Sequence, residues 1–265
     1  MRILLTNDDG FNSEGIIILE EVLKSYGHKI SVCAPSNQRS ASSHAVSLTK
    51  SIHMYSYLKD HYHCSGTPAD CLLYGFRSGL FDINEFDLVI SGINHGLNVS
   101  SDILYSGTVS AAKEAVMIGL KAMAISLESP SNINEAYNFK KAAIFLANHL
   151  DDFYPLCTKN TIVNVNVPHN NVENKWKSGS IGVLDYKDAA EIRKGALKEF
   201  KNLEYEKITL GLNPLVDRPS LVDLTYSEIT DYELINNNII SISVLDVLPR
   251  LSSLQIKLQE LEGRS

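Results

Sequence analysis

The chain has 265 residues, 44% of them hydrophobic and 21% charged, with a formal net charge of −7. That length and apolar content allow a full core, in one large domain or in one domain with an arm. The acidic balance, with a pI near 5.6, argues against the backbone of DNA or RNA as a primary partner, because that task normally needs a basic face.

The chain opens on an apolar run, Ile3-Leu4-Leu5, which reads as a buried parallel strand over 2–6. Ile16, Leu19, Val22 and Leu23 then repeat at helical spacing, predicting a helix over 13–26 that Gly27 stops. A second strand follows at 29–34. Thr67, Pro68 and Asp70 form the start signal of a helix over 68–79, with Asp70 reaching back to its cap. Strands are expected at 87–92, 121–126 and 161–167, and helices at 107–119 and 133–150. Such strand–helix–strand repetition implies right-handed crossovers and an α/β fold, a doubly wound, mostly parallel sheet between helical layers. From about 178 the pattern changes. Short strands are expected at 181–184 and 208–210 within a charged, loop-rich arm or hairpin. A short helix opens at Thr230-Asp231, a strand spans 239–245, and Ser252 to Leu261 reads as an amphipathic terminal helix. The whole is read as a single domain over 1–265, with a core to about 177 and the arm, last strand and terminal helix over 178–265.

Cys33, Cys64, Cys71 and Cys157 show no CxxC spacing and are expected to be free thiols of a reducing compartment. Met1-Arg2-Ile3 leads straight into the first strand, so no leader is expected, and no apolar run reaches the ~18 residues of a membrane span. The expected location is the cytoplasm, with no membrane partner.

A parallel sheet brings the loops after its strands to one edge, where ligands of open α/β folds bind. After the first strand come Asp8 and Asp9, two like charges that need an offsetting partner. After the second comes the hydroxyl-rich stretch from Ser36 to His44. After the third come Asn94, His95 and Asn98, then Ser106-Gly107-Thr108 opening a helix. Each alone has a plain reading as a turn, loop or cap; their joint placement is what points to a site. Asp8 and Asp9, a hydroxyl such as Ser40 and an amide oxygen such as Asn94 make an all-oxygen set suited to one Mg²⁺ or Mn²⁺ per chain. Asn94, Asn98, Ser106, Gly107 and Thr108 are expected to hold phosphoryl oxygens, the last three because a helix N-terminus presents unpaired N–H groups and the positive end of its dipole. A metal beside a phosphate points to phosphoester hydrolysis.

Asp8-Asp9-Gly10, Gln38-Arg39-Ser40, Gly66-Thr67-Pro68-Ala69-Asp70, Ser91-Gly92-Ile93-Asn94 and Tyr105-Ser106-Gly107-Thr108 resemble, in order, the signature blocks of the SurE family, and Asn164-Val165-Asn166-Val167-Pro168 extends the likeness. The resemblance implies a Rossmann-like core and a metal-dependent 5′/3′-nucleotidase acting on nucleoside monophosphates. It implies a metal held by Asp8, Asp9, Ser40 and Asn94, and C-terminal segments exchanged in a homodimer or dimer of dimers. The likeness thins in the last third, where Val183-Leu184-Asp185-Tyr186 and Asn238-Ile239-Ile240-Ser241 depart from the family pattern.

Asp8 and Asp9 are the expected catalytic pair, activating a water; direct attack on phosphorus by one of them is the alternative. His44 and His95 fall on the active edge and are candidates to protonate the leaving oxygen, or plain hydrogen-bonded loop histidines. His61 and His63 are expected to be solvated in a polar turn. Asp70 is expected to cap a helix, Glu114 to be structural and Trp176 to pack or contact the arm. A haloacid-dehalogenase-type phosphatase needs a DxD spacing that is missing here, and no GxGxxG follows the first strand as a dinucleotide site requires. A non-catalytic nucleotide- or metal-sensing protein on the same fold is the rival reading.

Overall fold

The computed structural model describes residues 1–132, 134–171, 174–187, 189–200, 203–213, 219–222, 224 and 228–249, with 189–200 and 203–213 described by their backbone. In chain order the first half runs β1 (Arg2–Thr6), α1 (Glu14–Ser25), β2 (Lys29–Pro35), β3 (Met54–Leu58), β4 (His61–Cys64), α2 (Pro68–Arg77), β5 (Leu88–His95) and α3 (Gly107–Ile118). It continues with β6 (Ala122–Leu127), α4 (Phe139–Asn148), α5 (Leu150–Phe153) and β7 (Thr161–Val167). The remainder is β8 (Trp176–Ser178), β9 (Leu184–Asp185), β10 (Ala189–Phe200), β11 (Leu203–Asn213), β12 (Ser220–Leu221), α6 (Asp231–Asn236) and β13 (Ile240–Asp246).

A nine-stranded sheet in the order β3-β4-β2-β1-β5-β6-β7-β13-β8 forms the middle layer. The strands from β4 to β7 are parallel; β3 and β13 run against their neighbours β4 and β7. Alternation along β1 serves both faces. Ile3 and Leu5 pack with Ile16 and Leu19 of α1 and with Phe139 and Phe145 of α4. Leu4 packs with Leu72 of α2 and with Val109 and Ala112 of α3. The expected three-layer α/β architecture is therefore present, and β1 lies where the strand order reverses between β2 and β5.

Four expectations need correction. The crossovers do not share one hand. The β5–α3–β6 and β6–α4–β7 units advance the same way across the sheet with their helices on opposite faces, so they are of opposite hand. The long connection after β6 carries α4 to the α1 face, because Phe139, Phe145 and Leu146 are buried there beside Ile16 and Leu19. Second, residues 54–64 form a hairpin instead of a polar turn. His61 is buried, with Nε2 2.6 Å from Glu20 Oε1. His63 stacks on Phe11 at 4.5 Å and lies 2.7 Å from Ser36 Oγ through Nδ1. Third, the helix expected over 133–150 starts at Phe139, where the Asn138 side chain accepts from Lys141 N and caps it. Fourth, the arm holds longer strands than expected: β10 and β11 pair antiparallel over most of their length, while 181–184 contributes only Leu184 to β9. The terminal helix expected at 252–261 lies outside the described residues.

The cysteines are free and buried. Trp176 is half exposed and meets the rings of His149 and Phe153 edge-on at 6.2 and 5.6 Å. Among the described residues no helix is long and apolar enough to cross a membrane.

Candidate active site

The loop after β1 is built around Asn7. Its Nδ2 donates to Gly10 O and Ser13 Oγ at 2.8 and 2.7 Å, and its Oδ1 accepts from Gly10 N. This turn fixes Asp8 and Asp9 at the carboxyl end of the central strand. Asp8 is 4% exposed. One side of it is α3: the Thr108 hydroxyl donates to Asp8 Oδ1, and a Cβ on Gly107 would lie 2.9 Å from Asp8 Cβ and Oδ2. Only glycine lets the helix N-terminus come this close. On the other side, Arg39 N donates to Asp8 O at 2.7 Å, which brings the Ser40 segment to the same place.

Asp9 turns toward β5. Its Oδ2 accepts from His95 N at 3.0 Å and lies 2.8 Å from His95 Nδ1. This hydrogen bond raises the His95 pKa above its ordinary value despite partial burial. Asn94 is one residue away. It follows an irregularity in which β5 carries an extra residue between Ser91 and Asn94 relative to β6. Gly92 makes this possible: its φ is +139°, and a Cβ there would lie 2.3 Å from Ile125 O. Asn94 Nδ2 donates to Gly96 O at 2.8 Å, so Oδ1 is the end of the amide available to a cation. Ser40 is exposed, and its hydroxyl accepts from Gln38 Nε2 at 2.9 Å.

The residues expected to hold phosphate have defined local duties. Ser106 Oγ accepts from Val109 N at 3.0 Å and caps α3, which leaves its proton to donate outward. Asn98 is nearly buried: its Nδ2 donates to Ser126 Oγ, its N to Asn166 Oδ1, and its O accepts from Asn164 and Asn166. Asn164 and Asn166 are thus an anchor for the loop after β5. Two polar residues in an otherwise apolar strand were the available signal for it.

The serine-rich loop is pinned across the same edge. Ser43 N and Oγ donate to Tyr105 O and Leu104 O. His44 Nε2 lies 2.8 Å from buried Glu114. Asp70 closes the expected capping box with Thr67 and also accepts from Ser47 N and Oγ, both at 2.8 Å. Both His44 and His95 are therefore held by carboxylates. Ser42 is the residue that sequence reasoning passed over. Its buried Oγ has no hydrogen-bond partner, and it too would lie 2.9 Å from a Cβ on Gly107.

Electrostatics favour a cation at this edge. Burial pushes the Asp8 carboxyl up to about 6; the Thr108 hydroxyl opposes this and the Asp9 charge adds to it. Among the described residues the one ion-pair partner of either carboxylate is His95, on Asp9. No group of three or more His, Cys, Asp or Glu suited to a metal occurs among the described residues. A metal here would rest on the mixed set of two carboxylates, a hydroxyl and an amide oxygen. That hard-oxygen chemistry fits Mg²⁺ or Mn²⁺.

The fold and the site define a layered α/β protein with an acidic, oxygen-rich centre at the switch point of its sheet, against a helix N-terminus. A family profile described as survival protein SurE matches residues 3–188, and the chain belongs to the SurE family. A relative from Clostridium botulinum named 5′-nucleotidase SurE is 44% identical over 173 residues, 63% of this chain and 67% of that one. Another of that name, from Pseudothermotoga lettingae, is 36% identical over 198 residues, 73% of each chain. The crystal structure of the SurE protein from Aquifex aeolicus superposes with a TM-score of 0.77 at 29% identity, covering 99% of this chain and 100% of that one.

Proposed function

We infer that the protein is a 5′-nucleotidase: a phosphatase that hydrolyses nucleoside 5′- and 3′-monophosphates, and short polyphosphate, with the aid of one divalent cation. Its membership of a family whose relatives carry that name supports the enzyme class. The single observation that carries the metal and the phosphate together is the contact of buried Asp8 with the α3 N-terminus at Gly107 and Thr108. A carboxylate is a poor neighbour for a phosphate unless a cation lies between them.

Asp8, Asp9, Ser40 and Asn94 would hold the ion, Mg²⁺ or Mn²⁺. When bound, such an ion polarises the phosphoester and makes water a competent nucleophile near neutral pH. The Ser106 hydroxyl and the N–H groups at the start of α3 hold phosphoryl oxygens as their charge develops. Asn98 holds the loop between the two halves of the site. The new bond joins the water oxygen to phosphorus, the ester P–O bond breaks, and the leaving oxygen takes up a proton. His95, whose pKa the hydrogen bond to Asp9 raises, and His44, held by Glu114, are the candidate donors. We place the protein in the cytoplasm, as a homodimer or dimer of dimers joined through the arm.

The test is phosphate release from AMP, GMP, 3′-AMP, tripolyphosphate and p-nitrophenyl phosphate, with and without Mn²⁺ or Mg²⁺. Metal-dependent release from the nucleotides is expected. Release that survives EDTA overturns the metal role, and nucleotide binding without release favours a sensor.

A further inference from the structure

The stripe of α1 that packs into the core is Ile16, Leu19, Val22 and Leu23. Ile17, Glu20 and Lys24 run beside it at helical spacing. That second stripe faces the β3–β4 hairpin, where Glu20 meets His61. Between helix and hairpin lies a cavity of about 290 Å³. Its apolar floor is Ile16 and Val32, both buried. Phe11 and Tyr57 bring rings to its wall, their centroids 4.9 Å apart, and exposed Ile17 and Leu58 stand at its mouth. None of the residues expected to hold metal or phosphate lines it.

The polar groups of this cavity are mostly acceptors. Burial raises the Glu20 carboxyl, but hydrogen bonds from Lys24 and His61 more than offset this and hold its pKa below the ordinary value. Both of those cations and donors approach the same oxygen, Oε1, His61 through Nε2 at 2.6 Å. The other ring nitrogen of His61 lies 2.7 Å from Lys59 O, so neither nitrogen is left for a ligand. Among the described residues nothing bonds to Glu20 Oε2. The Tyr57 hydroxyl is close to that carboxylate: burial pushes its pKa up to about 12, and the Glu20 charge adds to the rise. It keeps its proton at neutral pH, and among the described residues it has no hydrogen-bond partner. The exposed Asn12 amide, also in the lining, has none either.

We propose that this cavity binds a small organic cation, a primary ammonium carried on an apolar body about the size of one aromatic ring. The volume is near the lower bound of small-molecule pockets, and the lining joins apolar walls to a few polar groups, as such pockets do. Charge decides the class of ligand. The ammonium finds a carboxylate oxygen in Glu20 Oε2, a second acceptor in the Tyr57 oxygen, and the ring faces of Phe11 and Tyr57, which attract cations. An anion would meet the Glu20 charge with no cation to offset it, because Lys24 and His61 are already engaged on Oε1. The apolar body covers Ile16, Ile17 and Val32. The site is separate from Asp8, and it stands whether or not the protein is a nucleotidase.

The experiment titrates the full chain with 2-phenylethylamine, its neutral counterpart 2-phenylethanol and the anion phenylacetate, followed by ligand-observed NMR at pH 7.5. Excess Mg²⁺ is present to compete for the acidic edge at Asp8 and Asp9. Wild type is compared with Glu20→Gln, which removes the charge, and with Ile17→Trp, which fills the mouth from an exposed position. Saturable binding of the amine to wild type is expected, with the alcohol about tenfold weaker or more and phenylacetate not bound. Glu20→Gln should weaken the amine about tenfold and leave the alcohol within about twofold, whereas Ile17→Trp should weaken both. The proposal is overturned if wild type does not bind the amine, if it binds the alcohol equally well, or if the folded variants bind the amine as wild type does. Should Glu20→Gln not fold, Ile17→Trp and the comparison of amine with alcohol on wild type still decide.

Discussion

Replacing Asp8 by asparagine should abolish turnover and yet stabilise the metal-free fold. Burial holds the Asp8 carboxyl at about 6, against an ordinary 3.8. Folding therefore disfavours the ionised form. The penalty is absent below the unfolded value, grows between 3.8 and about 6, and is full above that. The gap corresponds to about 3 kcal/mol at neutral pH. Asparagine keeps an oxygen to accept from the Thr108 hydroxyl and carries no charge beside Asp9. In EDTA at pH 7.5, Asp8→Asn should gain about 2–3 kcal/mol in denaturant unfolding, and this gain should fade toward pH 4. With saturating Mn²⁺ the order should reverse, because wild type alone gains the binding energy of the ion. An Asp8→Asn protein that is less stable than wild type in EDTA at pH 7.5, or equally stable at every pH, would refute the reasoning.

Two other substitutions probe the same architecture. Gly107→Ala puts a methyl 2.9 Å from Asp8 Oδ2 and Ser42 Oγ; it should cost about 1–3 kcal/mol and most of the activity, read by thermal unfolding and phosphate release. Asp231→Ala strips the acceptors from Ser100 N, Ser100 Oγ and Tyr232 N. It should cost about 3 kcal/mol, because those buried donors are left unpaired, and protection of the Ser100 amide from hydrogen exchange should fall.

The core strands were legible because each is rich enough in apolar residues to be buried on both faces, as Ile3-Leu4-Leu5 is between the α1 and α3 layers. The hairpin of β3 and β4 was not. Tyr55 and Tyr57 are exposed on an edge strand, so Met54-Tyr55-Ser56-Tyr57-Leu58 lacks a buried run, and the histidines of His61-Tyr62-His63 hide a strand behind polar residue types. The exceptional hand of the α4 crossover was out of reach for a different reason. It depends on which face still has room, and local periodicity carries no such information. Within the candidate site, Asp8, Asp9 and Asn94 were legible from their positions at the carboxyl ends of strands. Their partners were not, because His44 with Glu114, and Asp9 with His95, are bonds between distant parts of the chain. The same holds for Ser42, whose significance comes from Gly107, on another element.

The most direct measurement is a calorimetric titration of Mn²⁺ into EDTA-treated and dialysed protein, wild type beside Asp8→Asn and Asp9→Asn. One ion per chain in wild type, with binding lost in both folded variants, is the predicted result. Undiminished Mn²⁺ binding after both carboxylates have been neutralised one at a time would contradict the account at its root.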